Sequence, residues 1–322
     1  MDNLTHSLAG WALGQAGLKT KSRKGLAALI LGANMPDIDV FLGWAPWAPL
    51  ATHRGFTHGI GGVLLMPPIL AGLLWLLDRW QARRGAVFRS GLPMRFGGLV
   101  ALAYLGTLTH PLLDLQTSYA VQLLAPFDTR WFHTETLFIV DVWIWSGLGL
   151  AIWLSRRRER LGGNWRRPAI VGLIALCAYI GLNGAISLAA RQALAMPRAD
   201  IVIAGEQPVL FWRRDVVWRQ NGMIGEASYD PMTSLGHVTH IRPRVPDNMG
   251  DPLVRRAIGV SPAVQGFLRW SIMPMAAVER GPCEATITFG DARFAVSVAK
   301  SQLGRVVSLP LAGPACGSPS VH

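Results

Sequence analysis

Two carboxylates stand one residue apart in Asn34-Met35-Pro36-Asp37-Ile38-Asp39, and two histidines stand five apart in His53-Arg54-Gly55-Phe56-Thr57-His58. Further on, His110-Pro111-Leu112-Leu113-Asp114 places an imidazole and a carboxylate at i and i+4. On a helix those two share one face, about 5–6 Å apart. Imidazole with carboxylate, and no thiolate nearby, is the donor set of a hydrolytic zinc, manganese or iron site rather than a structural zinc knuckle. Taken singly, each of these residues has an ordinary alternative, as a helix cap or a polar residue at a membrane surface. What separates the two readings is where the elements of the chain would place them.

The composition points to a membrane. Of 322 residues 51% are hydrophobic and only 16% charged, mean hydropathy is +0.30, and there are 13 tryptophans, a balance too apolar for an ordinary soluble domain. A net charge of +12 would suit a nucleic-acid binder, but its distribution argues otherwise. Of 17 Lys and Arg before residue 190, 15 fall in three clusters, Lys19 to Lys24, Arg79 to Arg95 and Arg156 to Arg167. Short basic clusters beside apolar runs are what the positive-inside rule produces. The expected partner is the lipid bilayer, and no nucleic acid is expected.

Met1-Asp2-Asn3-Leu4-Thr5-His6 carries no basic n-region, so no cleavable signal peptide is expected. Thr5 to Leu18 and Gly25 to Gly32 are apolar but too short to cross ~30 Å of hydrocarbon, and fit short helices packed on longer ones. Trp44 and Trp47 suit an interfacial belt. Full spans are expected at Thr57 to Leu77, Phe96 to Leu115, Leu137 to Leu154 and Pro168 to Ala189, with a kink at Pro67-Pro68 and a kink or break at Pro111. Gln116 to Thr136 is a polar loop. The expected fold is therefore mainly α: a polytopic membrane helical bundle of four full spans and two short N-terminal helices over residues 1–190. A β-rich extramembrane domain follows over residues 191–322.

With the basic clusters in the cytoplasm, His6, Asp37, Asp39, His53, His58, His110, Asp114, His133, Glu135 and Asp141 all fall on the other side. Five of five histidines and seven of nine acids before residue 190 share that side; only Asp78 and Glu159 do not. The candidate metal ligands are thus His6, Asp37, His53, His58, His110 and Asp114, with zinc the expected ion and manganese or iron the alternatives. Asp37 against Asp39 stays open, since alternation in an extended loop points them opposite ways. So does His53 against His58.

The set His6-Ser7-Leu8-Ala9-Gly10, Pro36-Asp37-Ile38-Asp39, His53 to His58, His110 to Asp114 followed by Thr117 and Tyr119, and Phe138-Ile139-Val140-Asp141 resembles the YdjM family. These are bacterial inner-membrane proteins described as metal-dependent hydrolases, and the resemblance covers roughly residues 1–190. More distantly, the order His, Asp, His, then HxxxD is similar to the zinc-dependent phospholipase C and single-strand nuclease group, which hydrolyses phosphoesters. The later His-xxx-Glu of that group has no counterpart here, because His133 and Glu135 have the wrong spacing.

A site of this type would use water activated by the metal as nucleophile. Arg54 is placed to hold an anionic group bidentately, or to meet lipid headgroups. Asp39 or Asp141 would orient a ligand or act as general base. The function expected is hydrolysis of a phosphoester or ester, of a lipid or wall precursor, at the periplasmic face of a bacterial inner membrane. A non-enzymatic metal-binding scaffold is the alternative. A transporter ranks third, since its ionisable groups would lie near the bilayer midplane rather than at span ends.

From Arg191 onward Pro and Gly rise and short apolar runs alternate with turns. Ile201-Val202-Ile203 and Val209-Leu210-Phe211-Trp212 suggest strands, and Ala285 to Val298 a hairpin turning at Gly290-Asp291. Cys283 and Cys316 are candidates for a disulfide, Cys177 for packing within a span. His237 and His240 would face opposite sides of a strand, which favours a surface role over a metal pair.

Overall fold

A computed structural model describes residues 1–42, 53–295, 303–311 and 316; Trp44 and Trp47 lie outside them. Two compact units are present, and the chain passes from the first to the second between Ala185 and Ile186, inside its longest helix. Residues 206–211 return to the first unit.

In the first unit, α1 (Asn3–Gln15) starts where the Asp2 carboxylate accepts hydrogen bonds from the Leu4 and Thr5 backbone N–H groups, an N-cap. It is followed by α2 (Gly25–Asn34), then by a 3-10 helix over Met35–Leu42 where an extended loop was expected. At 13 and 10 residues, α1 and α2 reach only about 20 and 15 Å. Then come α3 (Ile60–Arg83), α4 (Phe96–Asp114), α5 (Val142–Arg160) and α6 (Arg166–Ala193).

Three of these, α3, α4 and α6, are long and apolar enough to cross a membrane. The fourth expected span forms a helix, α5, but only Val142 to Ser155 precede its charged end Arg156-Arg157-Arg158-Glu159-Arg160. That leaves about 21 Å of uncharged helix against ~30 Å of hydrocarbon. The helix α6 leaves Ile170, Val171, Ile174 and Leu182 exposed, the pattern of a helix whose solvent is lipid. Cys177 also lies on an exposed face, not in packing as expected.

Prolines interrupt neither α3 nor α4. Pro68 has no N–H to give the Leu64 carbonyl four residues back, and the Tyr104 hydroxyl of α4 donates to that carbonyl instead, at 2.9 Å. Pro111 sits inside α4, which continues to Asp114 without the break that its sequence suggested.

Helix α2 is held close between α1 and α4 by glycines. A Cβ on Gly10 would lie 2.7 Å from the Leu29 carbonyl oxygen, and one on Gly106 only 2.4 Å from the same atom. Close backbone approach of this kind is how small residues join helices in a membrane. Below it, Ala28, Leu29, Leu70, Ala71, Leu74, Leu99, Leu102 and Ala103 form a buried core. The basic clusters gather at one end of this unit: Lys19 pairs with Glu159 at 2.6 Å, Arg23 with Asp78 at 2.7 Å, and Lys24 bonds Gln81. The two acids that the sequence set apart from the rest are thus the counterions of the basic end.

The second unit carries a four-stranded sheet, β1 (Ile201–Glu206), β2 (Arg214–Gln220), β3 (Met223–Tyr229) and β4 (Val245–Pro246), in that order. A three-stranded sheet has β5 (Pro274–Arg280), β6 (Glu284–Asp291) and β7 (Arg305–Pro310). Side chains alternate on β2. Val216 and Trp218 pack with Ala190, Ala193 and Leu194, while Val217 packs with Met273 and Met275, so both faces are covered.

Two sequence expectations fail here. Gly290 and Asp291 are paired strand residues, opposite Met275 and Pro274, rather than a turn. Residues 209–212 form no strand. Two helices, α7 (Pro252–Val260) and α8 (Pro262–Trp270), were not anticipated, although Asp251 and Ser261 cap them and proline opens each. Cys283 and Cys316 form a disulfide. His237 and His240 are exposed.

Candidate metal centre

The last turn of α4, the end of α2 and the 3-10 helix after it, and residues 53–58 converge at the end of the first unit away from the basic clusters. His110 and Asp114 share a face of α4, as i, i+4 spacing requires, and both are fully buried. His110 Nδ1 donates to the Ala33 carbonyl at 2.7 Å, a contact that depends on the close approach of α2 and α4. The 3-10 helix turns Asp37 toward His110 and His58, and Asp39 toward residues 53–57.

Four ligand atoms meet there. Asp37 Oδ1 lies 3.3 Å from His58 Nε2 and 3.2 Å from His110 Nε2. Asp114 Oδ2 lies 3.3 Å from His58 Nε2 and 3.5 Å from His110 Nε2. The two Nε2 atoms are 3.0 Å apart. Ligands about 2.0–2.1 Å from a tetrahedral zinc stand roughly 3.3 Å from one another, so these edges are those of a first coordination shell.

The protons make the argument stronger. His110 is assigned its Nδ1–H by the Ala33 carbonyl. The Thr57 hydroxyl donates to Asp39 Oδ2 at 2.7 Å, so its oxygen accepts from His58 Nδ1 at 2.9 Å. Both Nε2 atoms are then lone-pair acceptors, facing two carboxylates, with no donor between them. Asp114 Oδ2 is buried without a hydrogen-bond partner. A cation placed among them would satisfy all four buried acceptors at once. The residues present therefore fit a metal, and a buried Asp/His group able to hold one is a property of this chain.

The remaining candidates surround this cluster. His6 stacks on His110 with ring centroids 3.7 Å apart, and its Nε2 is 3.4 Å from Asp114 Oδ1. Both its ring nitrogens are buried without hydrogen-bond partners. Asp114 thus turns one oxygen to the four-atom cluster and the other to His6, with the Met1 amine also on Oδ1. His53 stands at the rim with its side chain 28% exposed. Its Nδ1 contacts Asp39 Oδ1 at 2.9 Å and its Nε2 lies 4.0 Å from Asp37 Oδ1. Asp37, Asp39 and His53 are close enough to form a second metal-holding group.

Asp39 is occupied on both oxygens, by His53 and by Thr57, and also accepts the Arg54 backbone N–H at 3.4 Å. This fastens Arg54 in a left-handed conformation, φ 67°, a strain of about 1–2 kcal/mol for a non-glycine residue. Its side chain is buried. The guanidinium is 3.5 Å from Asp114 Oδ1, donates to Thr117 Oγ1 at 3.0 Å and lies over the Tyr119 ring. Burial lowers its pKa to about 10, which leaves it a cation at neutral pH.

Asp141 is not brought to the cluster. It caps α5 through the Trp143 and Ile144 backbone N–H groups and accepts from the Tyr179 hydroxyl at 3.0 Å. His133 sits against Glu135, Nδ1 to Oε1 at 2.7 Å, and neither joins a metal-holding group among the described residues. Sequence reasoning missed Thr57, whose hydroxyl links Asp39 to His58. Its position immediately before His58 was the available clue.

The chain is 28% identical over 168 residues to YfhP of Bacillus subtilis (strain 168), described as an uncharacterized protein. That match takes in 48% of this chain and 47% of YfhP, so the chain spans about half the length of the relative. No solved structure matches. The YdjM inner membrane protein family model matches residues 1–190, the stretch that carries every ligand of the buried cluster, and the chain belongs to that family.

Proposed function

We propose that this chain is an integral membrane metal-dependent hydrolase that cleaves a phosphoester or ester at the outer face of the inner membrane. The observation that supports it is the convergence of four buried acceptor atoms, from Asp37, His58, His110 and Asp114, at the spacing of a coordination shell. A divalent ion held there, most reasonably zinc, would lower the pKa of a water and polarise the scissile group. His58 and His110 are held in the metal-binding tautomer by Thr57 and Ala33, and Arg54 balances the charge of Asp114 from behind. His53 is the group at the open rim. Asp39 orients it through Nδ1, which leaves Nε2 beside Asp37 to take a proton from the attacking water. Asp39 is a positioning residue in this scheme.

One observation favours a second reading, a cation that only fastens the helices together: all four ligands are buried, as in a closed structural site. Metal analysis of detergent-purified protein, with turnover of a generic phosphodiester and of phospholipids, separates the two. The hydrolase reading expects bound divalent metal and turnover that chelation abolishes, with His53→Ala keeping the buried metal but losing the turnover. Metal without turnover of any of these substrates favours the scaffold, and absence of metal excludes both.

The orientation follows from the basic end. With Lys19–Lys24, Arg79–Arg95 and Arg156–Arg167 in the cytoplasm, α5 completes a fourth crossing with its arginines at the headgroups, and the C-terminal domain is periplasmic. Single-cysteine labelling in intact cells, in a background without Cys177, Cys283 and Cys316, tests this. A cysteine at Gln122 is expected to react with an impermeant reagent, and one at Arg84 to be protected. The reverse pattern would invert the site as well.

A further inference from the structure

At the basic end of the first unit, away from the metal cluster, a groove of about 540 Å³ runs between α1 and α5. Its volume is in the roughly 300–1,000 Å³ range of ligand pockets. Leu8, Ile152 and Leu161 provide apolar walls, and Arg156, Arg157 and Arg160 line the end nearest the charged terminus of α5. These three arginines are unlike Lys19 and Arg23. Lys19 and Arg23 have carboxylate partners, and Glu159, the acid on the same turn, is engaged by Lys19. Among the described residues no carboxylate pairs with Arg156, Arg157 or Arg160. Arg156 lies over the Trp11 ring at 5.3 Å and Arg157 over Trp153 at 5.6 Å, which holds both guanidinium groups against the groove. The Trp11 indole N–H is itself buried with no acceptor.

The lining therefore offers donors and hydrocarbon, and no carboxylate. Its complement is a molecule with anionic oxygens attached to an acyl chain. We infer that this groove is a binding site for one phospholipid with a net-negative headgroup. The phosphate oxygens lie on Arg156, Arg157 and Arg160 and accept from Trp11, and an acyl chain lies along Leu8 and Ile152. Bilayer contact alone would give each exposed arginine a headgroup neighbour. A built groove with an orphaned indole donor asks for a particular one. This inference stands apart from the metal reading and survives its failure.

The test uses the full chain in a non-ionic detergent, titrated with phosphatidylglycerol, phosphatidylcholine or inorganic phosphate and followed by native mass spectrometry and thermal melting. Phosphatidylglycerol is expected to bind saturably, one per chain, and to raise the melting temperature, while the other two do neither at the same concentrations. The triple variant Arg156→Gln, Arg157→Gln, Arg160→Gln should lose phosphatidylglycerol affinity on the order of 100-fold. Removing the same charge elsewhere, through Arg79→Gln, Arg83→Gln, Arg84→Gln, should leave affinity unchanged. Trp11→Phe, which keeps an aromatic face under Arg156 but removes the indole donor, should weaken binding several-fold without unfolding the protein. Equal affinity for the two lipids overturns the proposal. So does binding of free phosphate alone, or an equal loss in the Arg79, Arg83 and Arg84 variant.

Discussion

Asp114→Asn protein is expected to fold and insert normally but to retain almost no metal and no metal-dependent turnover. The amide would place an N–H group 3.3 Å from His58 Nε2 and 3.5 Å from His110 Nε2. A donor would then stand where a cation would otherwise join the four acceptors, so the fold should survive while the ion is displaced. Loss of a partner that merely orients a ligand weakens metal affinity about 10–100-fold, and loss of a ligand should exceed that. The competing account makes Asp114 a partner of His110 that tidies the helix end. It is poorly served by the geometry, because Asp114 Oδ2 has no hydrogen-bond partner and His110 Nδ1 is already bonded to Ala33. Metal content of wild type and Asp114→Asn, measured on equally monodisperse preparations, decides the matter. Equal stoichiometry would remove Asp114 from the site.

The second large effect is expected at Gly106, which touches no ligand. A Cβ there would sit 2.4 Å from the Leu29 carbonyl oxygen, and backbone cannot rotate aside as a side chain can. Gly106→Leu should push α2 off α4 and fail to give a monodisperse protein. Gly106→Ala should fold with a stability lower by about 1–3 kcal/mol, the usual result of overpacking. It should also lose metal, since the His110–Ala33 hydrogen bond and the position of Asp37 both depend on where α2 lies. Gly97→Ala, on the same helix with open space around it, should be neutral or slightly stabilising. Similar melting temperatures and metal contents for the two alanine variants would show that the glycine contact does not set the site.

Much of this was legible along the chain because it is local. Apolar runs of membrane length, basic clusters at their ends and the short α1 and α2 follow from composition and spacing, and so does the shared face of His110 and Asp114. Family membership was carried by the same short motifs. The choices that depend on which distant atoms meet were not legible. Asp37 and Asp39 look equivalent in sequence. A 3-10 helix, rather than an extended loop, turns one to the ligand atoms and the other to Thr57 and His53. His58 rather than His53 joins the buried shell because Thr57 and Asp39 fix its Nδ1. Arg54 and Asp141 were assigned catalytic work by charge and position, yet one faces inward to Asp114 and the other caps a helix. Their partners, Thr117 and Tyr179, lie 63 and 38 residues away. Side-chain type and spacing determined that a metal-binding chemistry was available; which atoms supply it was decided by helix packing, because a coordination shell is set by distances of a few ångströms between elements that the sequence keeps far apart.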